Sequence, residues 1–432
     1  MIHKADVAVV GAGVAGLAAA RALAEAGLSV LVLEARDRIG GRIFTVRDPR
    51  LDFPIELGAE FLHGFPQNLW ALVREAGLAT WELNGRQLCF EKGKLRDCGI
   101  DDHLGLLDKI TKSRSRDLPF AEYLRAHQVG SSQAEWILSY VEGFNAADSN
   151  VIGIRALAKQ QKAENAIDGD RISRLVSGYD RIPEFLAQKF CESGGWIEQN
   201  FVVNEIRWRR GSAEIRCRRQ KSGPSTIVNA AAVVITVPLG VLQSARLRFV
   251  PSPADILTHA RRMAMGSVRR ISLCFKTEFW NSQRKPPVSF IFSRNETPPT
   301  WWTSSPLLTS VLTGWIGGPR ANRAKIKADE ALLNSALRTL GKMFSTAPAR
   351  LHKDLRAWYT HDWQHDPFTL GAYSYVPAGA LDASARMSRP VQGTLFFAGE
   401  HTDVSGHWGT VHGALGSGER AARQVLRALR GS

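Results

Sequence analysis

Cysteine is scarce in this chain of 432 residues. The five cysteines are odd in number and form no CxxC pair; they are Cys89, Cys98, Cys191, Cys217 and Cys274. This pattern argues against a disulfide scaffold and against a cysteine-ligated zinc site, and it is typical of a reducing compartment. We therefore expect a cytoplasmic protein with no disulfide framework and no metal site.

Long apolar runs are also missing. No run reaches the ~20 apolar residues that a membrane-spanning helix needs, so we expect no membrane span. The apolar stretch at the N-terminus contains several glycines and is followed by Glu34, which is unlike a signal peptide. Nothing in the sequence indicates an oligomeric state.

Dense blocks of positive charge are absent as well, although the formal net charge is +15. The most basic segments, 207–219 and 261–270, are short and interleaved with apolar residues. This distribution favours a generally basic surface, and we expect no nucleic-acid partner. What is present, 44% hydrophobic and 22% charged residues, is ordinary for a globular protein. The length predicts about two or three folded units.

The first 34 residues contain the strongest motif. Residues 7–10 are a continuous apolar run, typical of a buried parallel strand, and Gly11, Gly13 and Gly16 follow in GxGxxG spacing. A helix-favouring segment, a second apolar strand and Glu34 complete a dinucleotide-binding unit. Gly11 permits the turn, Gly13 admits a pyrophosphate and Gly16 lets helix and strand pack closely, while Glu34 would accept hydrogen bonds from a ribose.

The fingerprint alone does not separate FAD from NAD, but the next residues do. A second glycine pair that includes Gly41 is followed by Arg42, whose guanidinium would reach a diphosphate. Together with VVGAGVAGL, the run LEARDRIGGR resembles the FAD-binding flavoproteins of the amine oxidase superfamily. That superfamily includes monoamine and polyamine oxidases, L-amino acid oxidases and flavin-dependent histone-lysine demethylases.

The resemblance extends over most of the chain and implies its architecture. The implied fold is α/β, with a Rossmann-like FAD-binding domain of the glutathione-reductase type and a discontinuous substrate domain of mixed sheet and helices. The cofactor domain would comprise residues 1–80, 178–262 and 385–432, and the substrate domain residues 81–177 and 263–384.

The resemblance also implies a set of residues at the cofactor. They are Gly11, Gly13, Ala15, Gly16, Glu34, Ala35, Arg36, Gly41, Arg42, Gly58, Ala59, Glu60, Val203, Gly399, Glu400, Thr410 and Val411. In this scheme Gly58 and Ala59 keep the backbone close to the flavin ring, and the main chain at Val203 contacts the adenine. Glu400 would contact the ribityl–phosphate region. The helix N-terminus near Val411 would stabilise negative charge on the reduced flavin.

Residues 265–275 alternate as a strand, with Ile271, Leu273 and Phe275 on one face. The strand resembles the one on which most amine oxidases carry an active-site lysine. Arg270 stands there in this chain, and a register shift of one gives Arg269, so no lysine is recovered. An arginine cannot cycle through a neutral form. It could displace the water that bridges lysine to the flavin, pair with a carboxylate such as Glu60, or simply keep a positive charge near the flavin.

Further residues would line the substrate site. By resemblance, Tyr373 is one aromatic wall, Thr410 stands where many oxidases have the second, and Trp408 could partly replace it. His63 matches a histidine that faces the substrate in some polyamine oxidases. Ala372 replaces the cysteine that links flavin covalently in monoamine oxidases, so we expect non-covalent FAD.

The function implied is FAD-dependent oxidation of the C–N bond of a polyamine-like or other extended amine. Hydride transfer to flavin N5 would be followed by imine hydrolysis and by reoxidation with O2, releasing H2O2. Arg270 predicts slow reoxidation, or an acceptor other than O2. Acidic residues that could attract a polyamine are Glu60, Glu142, Glu164, Asp168 and Asp170.

Two alternatives stay open at this point. One is a dehydrogenase or desaturase of the same fold that acts on a non-amine. The other is a protein that keeps FAD structurally while its basic surface binds nucleic acid or an acidic partner.

Overall fold

The fold is that of a computed structural model, which describes residues 2–98, 101–112, 115–220, 225–281, 285–323 and 328–430. The described strands are β1 (Ile2–Val10), β2 (Val30–Leu33), β3 (Thr45–Val46), β4 (Ile55–Glu56), β5 (Leu62–His63), β6 (Thr80–Glu82), β7 (Arg86–Glu91), β8 (Lys94–Asp97), β9 (Ile172–Leu175), β10 (Trp196–Glu198), β11 (Phe201–Arg209), β12 (Ser212–Arg219), β13 (Ser225–Ile235), β14 (Arg248–Val250), β15 (Ala264–Met265), β16 (Val268–Phe275), β17 (Val288–Phe292), β18 (Thr300–Trp302), β19 (Val311–Gly317), β20 (Leu355–Thr360), β21 (Ser374–Tyr375) and β22 (Leu395–Phe397).

The described helices are α1 (Val14–Glu25), α2 (Gln67–Glu75), α3 (Asp101–Thr111), α4 (Phe120–Ala126), α5 (Ser131–Phe144), α6 (Ile154–Asn165), α7 (Arg181–Glu192), α8 (Leu239–Gln243), α9 (Ala254–Arg262), α10 (Pro319–Arg323), α11 (Asp329–Met343), α12 (Pro348–Asp354), α13 (Ala383–Met387) and α14 (Val411–Arg430). A short 3₁₀ helix covers Glu400–Thr402. None of the described helices is both long and apolar enough to cross a membrane.

An eight-stranded sheet forms the first layer, in the order β10-β2-β1-β13-β12-β11-β14, with β22 beside β13. The strands β1, β2, β10, β13 and β22 pair in parallel, whereas β11, β12 and β13 pair antiparallel. All four residues of β2 are buried because helices cover the sheet, as expected for parallel strands. Helix α1 packs between the sheet and helices α7 and α14.

A seven-stranded sheet forms a second layer, in the order β20-β16-β19-β18-β17-β7-β8. The alternation predicted for β16 is present: Ile271, Leu273 and Phe275 pack in one apolar core with helix α11, while Cys274 belongs to a different cluster. Helices α3 to α6 form another apolar cluster, which borders the same central cavity. The domain boundaries given by the resemblance stay a prediction.

Cysteine pairing differs from the sequence-based expectation. Cys89 and Cys98 form a disulfide, with their Cα atoms 5.6 Å apart, whereas Cys191, Cys217 and Cys274 are free. The pair lies across the β7–β8 hairpin, where antiparallel pairing brings the two residues together. The sequence argued against a disulfide framework and gave no indication of this single pair, because counting and CxxC spacing do not reveal a hairpin.

Candidate active site

One cavity of about 1250 Å³ lies between the two sheets and helices α3, α5, α6 and α14. Apart from Gly16, every residue that the sequence assigned to the site contributes to its wall. Gly16 is buried in helix α1, where an added Cβ would lie 1.9 Å from the Gly11 carbonyl oxygen. Its role in the structure is thus close helix–strand packing, as the fingerprint implies.

The glycine-rich turn leaves open space where a phosphate would approach. Gly11 has a φ of +105°, which L side chains rarely adopt, and its amide donates to Leu33. A Cβ on Gly13 would meet nothing within 4 Å, although Gly13 borders the cavity. Gly40 donates to the carbonyl of Ala12, and this bond ties the second glycine pair to the first turn. The cradle therefore fits a diphosphate.

Glu34 directly follows β2 and lies in the cavity wall, with 5% of its surface exposed. Its two carboxylate oxygens accept hydrogen bonds from the amides of Ala12 and Arg36, at 2.7 and 2.8 Å. Burial raises the pKa of this carboxyl, and the two backbone donors oppose the rise. Each oxygen keeps a lone pair for a ribose hydroxyl. Ala35, Arg36 and Val203 border the same part of the cavity.

An ion pair connects Arg42 with Glu400, which begins the short 3₁₀ helix after β22. Arg42 Nη1 donates to Glu400 Oε1 and to the carbonyl of Ala372, both at 2.8 Å. Glu400 also accepts from the Ser374 hydroxyl at 2.6 Å and from the Gly409 amide at 2.9 Å. Burial acts to raise the pKa of Glu400, but Arg42 and the hydrogen bonds outweigh it and the net pKa is lowered. Glu400 is therefore a carboxylate, held between Arg42 and the loop before α14.

Helix α14 begins at the cavity with a capped N-terminus. Thr410 Oγ1 accepts a hydrogen bond from the Gly413 amide at 3.0 Å and donates to the His407 carbonyl at 2.7 Å. Thr410 and Val411 both border the cavity. The positive end of the helix dipole thus faces the cavity, which suits stabilisation of negative charge there.

The backbone at Gly58 lies close to the backbone at Arg42. A Cβ on Gly58 would lie 1.9 Å from the Arg42 carbonyl oxygen. The sequence-based reason for this glycine, clearance for a flavin ring, is thus not the only one, because the chain itself already excludes a side chain there. The Ala59 amide donates a hydrogen bond to the same Arg42 carbonyl oxygen. These contacts place the Gly58 carbonyl toward Arg270.

Arg270 lies in a buried ion-pair group with Glu60 and Arg174. Arg270 Nη2 pairs with Glu60 Oε2, and Nη1 donates to the Gly58 carbonyl at 3.0 Å. Arg174 pairs with the other oxygen of Glu60, and the Trp302 indole donates to Oε2 at 3.1 Å. One carboxylate therefore lies between two guanidinium groups. Pairing of Arg270 with Glu60, one of the possibilities drawn from the sequence, is what the structure contains.

Aromatic rings enclose the other end of the cavity. Tyr373 is nearly parallel to Trp315, with 6.5 Å between ring centroids, and its hydroxyl donates to the Phe144 carbonyl at 2.6 Å. His63 lies edge-on to Phe61 and Phe144, at 6.0 and 5.7 Å. Burial lowers the pKa of His63, so the imidazole is neutral at physiological pH. This end therefore offers flat apolar walls and one neutral polar group.

Two tryptophans, Trp408 and Trp315, border the cavity in different ways. Trp408 borders the cavity, but its indole is 6% exposed and its N–H donates to Ser384 and to the Asp403 carbonyl. The aromatic ring that lies beside Tyr373 is that of Trp315. Trp408 as the missing wall stays a prediction, and Trp315 is a second candidate that the residue pattern did not single out as the wall.

Charged side chains of both signs border the cavity. Arg36, Arg42 and Arg246 border it together with the glycine-rich turn. Acidic side chains on α3, on α6 and in the turn after α6 also border it: they are Asp108, Glu164, Asp168 and Asp170. The turn after α6 lies beside the end of β5, because the amides of Gly64 and Phe65 donate to the carbonyls of Arg171 and Ile167. Of the acidic residues proposed from the sequence, Glu60 is used by the two arginines, and Glu142, which does not border the cavity, accepts from Ser149.

Sequence reasoning missed Arg174 and Asp108. Arg174 lies on the short strand β9, with no motif around it, and reaches Glu60 only through the pairing of β9 with β5. Asp108 lies on α3, a helix without a functional pattern. A local signal could not have found either residue, because each joins the site through contacts that are distant in sequence.

Comparison with known proteins identifies the family. The profile described as flavin containing amine oxidoreductase matches residues 14–135 and 107–426. The chain is 29% identical over 468 residues to probable polyamine oxidase 4 of Arabidopsis thaliana, covering 98% of this chain and 87% of that one. It is 30% identical over 462 residues to polyamine oxidase 3 of Oryza sativa subsp. japonica, covering 98% and 89%.

A solved structure of putrescine oxidase with putrescine bound has the same fold, with a TM-score of 0.83 at 21% identity. The alignment covers 99% of this chain and 100% of that one. At this identity the likeness establishes the fold, while the family profile, which extends over most of the sequence, establishes the family. The chain belongs to the flavin-containing amine oxidoreductases, and it is a flavin-dependent enzyme of that family.

Proposed function

We propose that the protein binds FAD non-covalently and oxidises the C–N bond of an extended, polyamine-like amine. The observation that carries the proposal is that one continuous cavity borders both the dinucleotide fingerprint and a group of carboxylates beside His63. Arg36 and Arg42 border it together with the fingerprint, and Glu164, Asp168 and Asp170 border it near His63. The arginines and the glycine-rich turn suit a diphosphate, and the carboxylates suit a multiply charged cation.

The residues present fit FAD. The Gly11–Gly13 turn would receive the pyrophosphate, and Glu34 would accept from the ribose hydroxyls. Arg42 and Glu400 would hold the middle of the molecule, and the α14 N-terminus would face the ring system. When bound, the flavin would accept a hydride from the carbon next to the amine nitrogen.

The protein side chains would orient the amine. Tyr373 and Trp315 offer flat walls along an alkyl chain, and the neutral imidazole of His63 can accept a hydrogen bond from the amine. The ammonium form of an alkylamine has a pKa of about 10.4, and it must lose a proton before hydride transfer. The buried, apolar walls favour that neutral form.

The carboxylates at the cavity wall support a polyamine as substrate. Two curated relatives of similar length carry the name polyamine oxidase. Carboxylates on α6 and in the turn after it border the cavity, and they would bind the ammonium groups that are not oxidised. A short monoamine cannot use these contacts.

The electron acceptor is O2 or another oxidant. Arg270 borders the cavity, but its guanidinium is held by Glu60 and by the Gly58 carbonyl. This observation favours a slow oxidase, or a dehydrogenase that passes electrons to a second acceptor. The oxidase and the dehydrogenase would both take their electrons from an amine.

Non-covalent binding follows from Ala372, which lies at the cavity wall and has no nucleophilic atom. Heat or acid denaturation should release all flavin into the supernatant, where chromatography against FAD and FMN standards identifies it. Flavin that stays with the chain on a denaturing gel contradicts this part of the proposal.

An anaerobic amine screen tests the reaction. Purified holoenzyme is mixed with polyamines, diamines and monoamines, and the loss of oxidised-flavin absorbance is recorded. We expect polyamines to bleach the flavin fastest, and the double variant Asp168→Asn/Asp170→Asn to raise the KM for them several-fold. Glu142→Gln, which changes an acidic residue outside the cavity wall, is the matched control. No bleaching by any amine would refute the proposal.

A further inference from the structure

Three side chains with metal-ligand chemistry meet at the wall of the cavity. Glu164 lies near the end of α6, His407 in the loop before α14, and His412 in the first turn of α14. One ligand atom from each lies within 4.8 Å of the others. The sequence contains no metal-binding motif at these positions, because Glu164 is far from the two histidines along the chain.

The three side chains present unsatisfied polar atoms. Glu164 Oε2, His407 Nδ1 and His412 Nε2 are buried and have no hydrogen-bond partner among the residues that the structure describes. His412 is only 5% exposed. An unpaired buried polar atom costs free energy, so three of them in one place call for a ligand.

Hydrogen bonds among the three side chains do not account for the arrangement. His407 Nδ1 is 3.8 Å from Glu164 Oε1, which is beyond hydrogen-bond distance. The two imidazoles lie edge to face, with centroids 4.4 Å apart.

The backbone around the two histidines is held in place. The His407 amide donates to Asp403 at 2.8 Å, and its carbonyl accepts from Thr410 at 2.7 Å. Lys159 of α6 donates to the Val404 carbonyl at 2.6 Å, which fixes α6 against the same loop. Ligand positions that are fixed by the scaffold lower the entropic cost of binding.

We propose that Glu164, His407 and His412 bind one divalent transition-metal ion of the Zn²⁺ type. Two imidazoles and a carboxylate are a donor set that zinc uses when it keeps a fourth position open. Two nitrogen ligands disfavour Mg²⁺ and Ca²⁺, which prefer oxygen. Zinc–ligand bonds of about 2.1 Å place ligand atoms about 3.3 Å apart. Small side-chain rotations would bring the three atoms from their present separation to that distance.

The open position would face the cavity, since Glu164 and His412 border it. A bound ion would also connect α6 with the loop and helix that carry Thr410 and Val411. Zinc should therefore stabilise the holoenzyme against heat. Glu164 would then be shared between the ion and an ammonium group of a substrate, so the binding test is run without amine. Its failure would leave the proposed amine oxidation untouched.

The test uses tag-free holoenzyme that has been treated with a chelator and then titrated with Zn²⁺ in a calorimeter. We expect about one equivalent to bind, and the melting temperature to rise with Zn²⁺. Glu164→Gln and His407→Ala should each weaken binding by at least about 100-fold. His365→Ala is the matched control, because His365 lies beside the carboxylate of Asp362 on the exposed surface.

Two results would overturn the proposal: binding that survives both ligand substitutions, or wild-type protein that binds no Zn²⁺. An equal loss in His365→Ala would show surface chelation and would also overturn it. If the ligand variants lose flavin or fail to fold, Co²⁺ replaces Zn²⁺ in the wild-type protein. The intense visible absorption of four-coordinate cobalt would support the site, and a weak six-coordinate spectrum would refute it.

Discussion

Replacing Arg270 by lysine tests how the buried ion-pair group controls the reaction with O2. The guanidinium makes two contacts, one with Glu60 and one with the Gly58 carbonyl at 3.0 Å. A lysine ammonium can keep the contact with Glu60 but cannot span both. Loss of one hydrogen bond from a charged donor costs about 1.5–3 kcal/mol, so we expect Arg270→Lys to be less stable by about 2 kcal/mol.

Reoxidation should nevertheless become faster. Negative charge develops on O2 as it accepts the first electron, and a cation that is free to face it lowers the barrier. The Arg270 guanidinium is held by Glu60, whereas a lysine ammonium is smaller, admits a water molecule and can release a proton. A contact of about 1.5–3 kcal/mol in the transition state corresponds to a rate factor of about 10 to 150.

The assay is stopped-flow mixing of photoreduced enzyme with oxygenated buffer, followed by the return of flavin absorbance. Arg174→Lys is the matched control, because Arg174 pairs with the same carboxylate but does not border the main cavity. We expect a gain of at least about tenfold in Arg270→Lys and little change in the control. If Arg270→Lys reoxidises no faster than wild type, the arginine does not limit the reaction with O2.

Three further predictions concern the cofactor, the substrate and pH. Gly13→Val should lose flavin on gel filtration, because its side chain would enter the open space beside the turn while the backbone (φ −75°, ψ 176°) accepts it without strain; a variant that keeps its full colour would show that no phosphate lies there. Extended amines should bleach the flavin faster than benzylamine, since only they carry a second ammonium group for the carboxylates at the cavity wall; the reverse order in an anaerobic titration would count against this. Burial raises the pKa of Glu56 from 4.5 to about 7, so its contribution to stability is present below pH 4.5 and is lost as pH rises through 7. The loss is up to about 3 kcal/mol, and Glu56→Gln should therefore gain stability relative to wild type between pH 5 and 8 in thermal unfolding; a pH-independent difference would contradict the assignment.

Motifs in the sequence predicted that Gly11, Gly13 and Glu34 lie close together. All three belong to one strand–turn–helix–strand unit, whose geometry is fixed. Their approach in space therefore needed no knowledge of the rest of the molecule. Gly16 belongs to the same motif, and its packing against Gly11 follows from the local backbone.

The substrate end depended on resemblance and on distant contacts. His63, Tyr373 and Thr410 were placed by similarity to a family, and the structure brings all three to one cavity. Trp315 comes beside Tyr373 only because β19 pairs with β16 in the second sheet. No local pattern distinguishes this tryptophan from one in an apolar core.

By itself, the sequence determined the nucleotide-binding unit, the absence of a lysine at Arg270 and the lack of a linking cysteine at Ala372. These are properties of residue identity and of short spacing. Only the tertiary structure decided the partners of Arg270, the Cys89–Cys98 bond and the meeting of Glu164 with His407 and His412. Each of these needs two segments to approach through sheet pairing or helix packing. Such approach is set by the burial of whole faces, which no single residue type reveals.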